Sequence, residues 1–196
     1  MPWGLKRFQE SGQTHFVTFS CYHRQPLLTP DPAKQIFERA LERVRHTFTL
    51  RVYGYVIMPE HVHLLLSEPD RGVLADALKS LKQGVSRRLL EDTDGAPFKP
   101  SFGLSGALGA SEDPPLHFWQ KRYYDFNVRN YDQFMEKLRY IHRNPVKRGL
   151  CERPEDWAWS SFVNTQPDTK DEWRSSASGQ QEGASERRRN SVQPSS

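Results

Sequence analysis

The 196-residue chain carries 28 Lys and Arg against 24 Asp and Glu, a formal charge of +4, which favours a polyanionic partner such as nucleic acid. At 36% hydrophobic residues and a mean hydropathy of −0.79 it is polar for a globular protein; no window approaches 18 apolar residues, and part of the chain is expected not to fold. Its 2 cysteines, Cys21 and Cys151, exclude a disulfide framework or a four-cysteine zinc site, and the N-terminus has no apolar leader-like run. The expectation is a soluble, cytoplasmic, nucleoid-associated protein.

The first element, "THFVTFSCY" (14–22), is rich in β-formers, with Phe16, Thr18 and Ser20 opposed to Val17 and Phe19. "DPAKQIFERALERVRHTF" follows, with Asp31 expected as N-cap and Pro32 at the first helical position. Ile36, Phe37, Ala40, Leu41, Val44 and Phe48 recur there at helical spacing. "TLRVYGYVIM" and "EHVHLLLSE" read as two strands joined at Pro59–Glu60. A second helix fits about 73–90, with Leu74, Leu78, Leu81, Val85 and Leu89 as its apolar stripe. Residues 92–115 are Gly/Pro/Ser-rich without periodicity and read as a long mobile loop.

"LHFWQKRYY" (116–124) is aromatic and strand-like, and a third helix fits about 131–144, capped by Asn130 and turning Phe134, Leu138 and Ile141 inward. The chain from 164 to 196 is too polar to offset its ordering entropy and is expected to be a disordered tail on a single domain of residues 1–163. The order β-α-β-β-α-β-α places the chain in the α+β class. It matches a ferredoxin-like or RRM-like antiparallel sheet, with helices on one face and the other face free for a site.

Within "VIMPEHVHLLL" (56–66), His61 and His63 project from one face of a strand and Val62 and Leu64 from the other. Two imidazoles at that spacing can share one metal ion; they can equally be two part-exposed surface histidines. Glu60, in a regular strand, points to the opposite face. Any third ligand must then come from elsewhere.

The third helix offers one. Tyr140 and Asn144 are one turn apart on a face bordering its apolar stripe. The amide oxygen could serve as a ligand and the phenolic oxygen as a nucleophile. The plainer reading is a packed tyrosine and a C-cap before Pro145. Tyr53, Tyr55, Tyr123 and Tyr124 have no candidate ligand one helical turn away, and His15, His46 and His142 read as structural or surface residues.

A site of two imidazoles and a carboxamide keeps open positions, and Mg²⁺ or Mn²⁺ there would polarise a phosphodiester oxygen. A free tyrosine has a pKa of about 10, so a nearby cation would favour its phenolate. Attack on phosphorus would store the bond as a covalent tyrosyl–DNA link. Two basic clusters could hold the DNA backbone: Lys79, Lys82, Arg87 and Arg88 on the second helix, and Arg139, Arg143, Lys147 and Arg148 on the third. Each cluster taken alone is more often just a solvated face.

Four separated stretches in this order, "VIMPEHVHLLL", "FWQKRYYDF", "LRYIHRNPVKRGL" and "DWAWSSF", make the chain resemble the single-tyrosine His-hydrophobic-His (HUH) transposases, IS200-like, and most closely the REP-associated tyrosine transposases. The resemblance spans roughly residues 12 to 163. It implies cleavage and rejoining of single-stranded DNA beside hairpins with Mg²⁺ or Mn²⁺, through a 5′-phosphotyrosine. His61 and His63 match the paired ligands, Tyr140 the nucleophile, and Asn144 the polar third ligand.

"RYYDF" resembles a structural strand of the family rather than its nucleophile. The 92–115 insertion and the tail depart from the pattern. The implied partner is single-stranded or hairpin DNA, with no membrane involved and a monomer or a homodimer as the working form. Two rivals stand beside this reading. One is a host-adopted hairpin-binding protein that does not cut; the other is a metal-dependent phosphate hydrolase, which would not need Tyr140.

Overall fold

Strand β3 (His61–Ser67) is buried along its whole length, because it lies inside the sheet and both its faces are covered. The structure, a computed structural model, describes residues 13–91 and 117–164. The loop expected at 92–115, and all but the first residue of the tail expected from 164, lie outside the described residues. β3 is flanked by β1 (Thr14–Ser20) and by β2 (Val52–Ile57), and β4 (Tyr124–Val128) pairs with the far side of β1. All three pairings are antiparallel, in the order β2-β3-β1-β4. Helices α1 (Asp31–Phe48), α2 (Leu74–Glu91) and α3 (Tyr131–Lys147) complete the α+β architecture.

Strand alternation sorts the interior into two cores. Val17, Phe19, Val62, Leu64 and Leu66 face α1 and α2, packing on Phe37, Leu41, Leu78 and Leu81. Phe16, Val56 and Leu65 face the other way, onto Phe134, Leu138 and Ile141 of α3. The sheet is therefore covered on both faces, whereas the second face was expected to be free for a site. The apolar stripe of α3 has to be buried somewhere, and the face left by α1 and α2 takes it. Gly54 lets the helix sit close: a Cβ there would lie 2.6 Å from Leu138 Cδ1.

Several boundaries differ from the sequence reading. The fourth strand is Tyr124–Val128, not 116–124. Residues 117–121 instead run alongside the end of β1, with Trp119 bridging Cys21 and Gln120 N–H donating to the Ser20 carbonyl. Phe118 and Trp119 give this stretch its strand-like composition, but they are anchors in the first core.

Helix α1 starts one residue early, with Pro30 as N-cap; Asp31 is inside the helix and pairs with Lys34 at 2.9 Å. Helix α3 runs through Asn144 and Pro145, so Asn144 is not its C-cap. It ends in a Schellman turn, where Leu150 N–H bonds the Pro145 carbonyl, Gly149 N–H bonds that of Val146, and Gly149 takes φ 69°.

"DWAWSSF" runs along the outer edge of β2. Ile57 N–H donates to the Trp159 carbonyl, Trp157 Nε1 donates to the Ile57 carbonyl, and Ser160 bridges Val56. An edge that would otherwise offer free strand-pairing groups is thereby closed. Cys21 and Cys151 are both free. Among the described residues no helix is long and apolar enough to cross a membrane.

Candidate functional site

The face of the sheet that carries the second core also carries His61 and His63. In register, Thr18 stands opposite His63 and Ser20 opposite His61, so the pair sits at one end of the β1–β3 ladder. Both rings are 4% exposed, and their Nε2 atoms are 3.0 Å apart. Helix α3 crosses this end, and its one-turn spacing brings two side chains to the same imidazole. Asn144, 5% exposed, places its carboxamide Nδ2 2.8 Å from His63 Nε2. The Tyr140 ring stands edge-on to His63 with centroids 5.1 Å apart. Phe16 stacks on the His63 ring at 5.5 Å and holds it in place. Tyr140 is 42% exposed, and among the described residues its hydroxyl has no hydrogen-bond partner. It is open to solvent.

The far nitrogens of the two rings are also held. Thr18 Oγ1 lies 2.7 Å from His63 Nδ1, and Glu60 Oε1 lies 3.0 Å from His61 Nδ1. Glu60 was expected on the opposite face. It precedes β3, in the Pro59–Glu60 bend, so strand alternation does not govern it. Arg148, just past the end of α3, donates to the same Glu60 oxygen at 2.8 Å.

Both imidazoles are neutral near pH 7. Burial, then the neighbouring His61 and the Arg24 guanidinium, push His63 down to about 3. Burial lowers His61 as well, against the raising pull of Glu60. Neutral rings are the state in which imidazole binds a cation.

Among the described residues, no three His, Cys, Asp or Glu side chains form a group able to hold a metal ion. The donor set that does converge is two imidazole nitrogens and one carboxamide. Half a turn of the Asn144 amide exchanges Nδ2 for Oδ1 and offers an oxygen. Two neutral Nε2 atoms this close need a proton or a cation between them, and the carboxylate and hydroxyl behind the rings are the outer partners that metal-ligating histidines carry. The residues fit a divalent cation, and a mixed nitrogen–oxygen set suits Mn²⁺ better than Mg²⁺.

The other tyrosines are placed differently. Tyr124 opens β4 on the same face and is exposed, but its ring meets Phe16, 6.4 Å away edge-on, rather than a histidine. His142 turns away from the site and bonds Ser161 Oγ at 3.1 Å. His15 is fully buried between Asp125 and Glu68.

The basic clusters do not merge. Arg139, Arg143 and Lys147 share α3 with Tyr140, and Arg148 stands at its C-terminal end. Lys79, Arg87 and Arg88 are exposed on α2, across the sheet. Lys82 is not a free cation, since its ammonium donates to the Gln120 carbonyl at 2.7 Å. Lys79, Lys82 and Arg87 line a groove of about 550 Å³ together with Trp119 and Lys121. Sequence reasoning missed Thr18 and Glu60. The cross-strand register hides the first, and the bend before β3 hides the second.

Comparison with known proteins follows the same lines. The family model described as "Transposase IS200 like" matches residues 9–103, a span that includes the histidine pair and stops before α3. A REP-associated tyrosine transposase of Escherichia coli is 25% identical over 158 residues, 80% of this chain and 81% of the relative. A Haemophilus influenzae relative is 27% identical over 152 residues, 77% of this chain and 80% of its own. The solved structure of a REP-associated tyrosine transposase bound to a REP hairpin shares the fold. Its TM-score is 0.63 at 22% identity, covering 84% of each chain. The chain thus resembles the IS200-like transposases over residues 9–103 and a REP-associated tyrosine transposase over 80% of its length.

Proposed function

We propose that this protein binds single-stranded hairpin DNA, of the kind held by its structural neighbour, and cuts and rejoins it with Tyr140 as nucleophile. The observation that carries the reading is the meeting of Tyr140, Asn144 and His61 at the single imidazole of His63. Tyr140 also packs edge-on against Phe16, but its exposure and its place beside the buried histidine pair support the reading.

In the proposed reaction the Tyr140 oxygen attacks phosphorus. The Oη–P bond forms, the P–O3′ bond breaks, and the tyrosine proton passes through solvent to the departing 3′ oxygen. The product is a 5′-phosphotyrosine and a free 3′-hydroxyl. The reverse attack by a 3′-hydroxyl rejoins the strand without ATP. A divalent cation, Mg²⁺ or Mn²⁺, held by His61, His63 and Asn144 would draw charge from the phosphate oxygens.

Arg139, Arg143 and Lys147, on the helix of the nucleophile, would hold the backbone beside the cut. Lys79, Arg87 and Arg88 would hold a part of the strand that passes to the other face. Lys82 contributes there mainly by fixing the groove wall, since its ammonium is already bonded.

The test is cleavage of labelled single-stranded hairpins with Mn²⁺, with a denaturing gel for covalent protein–DNA adduct. Wild type should form adduct, and Tyr140→Phe and His61→Ala/His63→Ala should not. Cleavage that survives Tyr140→Phe would move the nucleophile to water or to Tyr124. Tight hairpin binding with no cutting by wild type would favour a binding module.

A further inference from the structure

Glu60 belongs to neither of the groups just described: it is neither nucleophile nor one of the three converging donors. Yet its carboxylate is mostly buried and makes two contacts that reach opposite sides of the site. One is His61 Nδ1 at 3.0 Å and the other is Arg148 Nη2 at 2.8 Å, both to the same oxygen. We propose that Glu60 is a positioning residue that fixes the tautomer of His61, and that Arg148 holds it there, tying the tyrosine-bearing helix to the histidine pair.

The chemistry follows from proton counting. Glu60 Oε1 already accepts from the Arg148 guanidinium, so it accepts from His61 as well, and the His61 nitrogen facing it carries the hydrogen. In a neutral imidazole the other nitrogen then holds a lone pair, and in His61 that is Nε2, the atom 3.0 Å from His63 Nε2. His63 lacks such a lock. Its Nδ1 faces the Thr18 hydroxyl, which can donate or accept, so Thr18 orients the ring without choosing its tautomer. One ring is thus preset to receive a cation and the other adapts to it.

Arg148 adds a mechanical link. It lies at the end of α3, four residues beyond Asn144, and its guanidinium closes onto a bend that also anchors β1 through Cys21 N–H and the Glu60 carbonyl. The carboxylate that sets His61 is therefore also what the C-terminal end of the tyrosine helix rests against.

This inference rests on the metal reading above, and the experiment separates the two. The tautomer of His61 is read by ¹⁵N NMR of the metal-free protein, and Mn²⁺ affinity by titration calorimetry, in wild type, Glu60→Gln, Glu60→Ala and Arg148→Ala. Wild type should show Nδ1–H at His61. Glu60→Gln keeps an acceptor oxygen and should keep the tautomer and most of the affinity. Glu60→Ala should lose the single tautomer and weaken Mn²⁺ binding about 10- to 100-fold. Arg148→Ala should weaken it too, although Arg148 touches no proposed ligand.

Glu60→Gln as damaging as Glu60→Ala would overturn the proposal and make Glu60 a direct ligand. A His61 that carries its proton on Nε2 in wild type would overturn it outright. No Mn²⁺ binding by wild type, with the Nδ1–H tautomer present and lost in Glu60→Ala, would sink the metal reading and leave the positioning role standing.

Discussion

His15 offers a quantitative test of how the β4 edge is held. Its ring is fully buried on the α1/α2 face, with Nδ1 2.8 Å from Asp125 of β4 and Nε2 3.2 Å from Glu68 just beyond β3. Burial alone would lower its pKa, but the hydrogen bonds and charges of Asp125 and Glu68 outweigh it and raise it from 6.5 to about 9. That rise corresponds to roughly 3 kcal/mol of extra stability for the charged form. Because the folded value is the higher one, the contribution is complete below about pH 6.5 and fades as pH climbs through 9. The perturbation is His15→Gln, and the assay is urea unfolding from about pH 6 to pH 10. The stability difference between wild type and variant should shrink by roughly 3 kcal/mol across that range. A difference that stays constant with pH would refute a charged His15 clamped between two carboxylates.

Four further outcomes are expected. Tyr124→Phe should leave adduct formation unchanged in the assay that Tyr140→Phe abolishes, since Tyr124 meets Phe16 and not a histidine. Lys79→Ala and Arg87→Ala should each reduce the salt dependence of hairpin binding by about one phosphate contact, measured by anisotropy at several salt concentrations. Lys82→Ala should barely change that slope and should instead cost about 1 kcal/mol of folding stability, because the Gln120 carbonyl loses its donor. Gly149→Ala should cost about 1 kcal/mol in thermal or urea unfolding, because its φ of 69° disfavours any side chain although nothing stands within 4 Å of a Cβ there.

Much of this was legible in the sequence because it depends on periodicity. The spacing of His61 and His63 placed both rings on one face of β3, and the four-residue spacing of Tyr140 and Asn144 brought both to His63. The apolar stripe of α3 was equally plain. The rest depended on how elements meet. Glu60 was misjudged because alternation was extended one residue past the start of β3. The aromatic run at 116–124 looked like a strand because anchors of a core and residues of a sheet share the same composition. Lys82 looked like a surface charge because nothing local announces that a carbonyl 38 residues away will accept its hydrogen bond. Thr18 became visible only once the register of β1 on β3 was known.

The division of the interior has one more consequence. The core beneath α3 is the smaller of the two, and α3 shares it with the rings that hold the proposed chemistry. A sheet that packs unequally on its two sides acts as a partition, so the α3 side can loosen while the α1/α2 side keeps the strands in order. Amide hydrogens along α3 would then exchange faster than those of β1 and β3, through openings that leave the rest folded. If the proposed function holds, the helix that carries Tyr140 would in that way shift its seat around a bound strand, at a cost well below that of unfolding the protein.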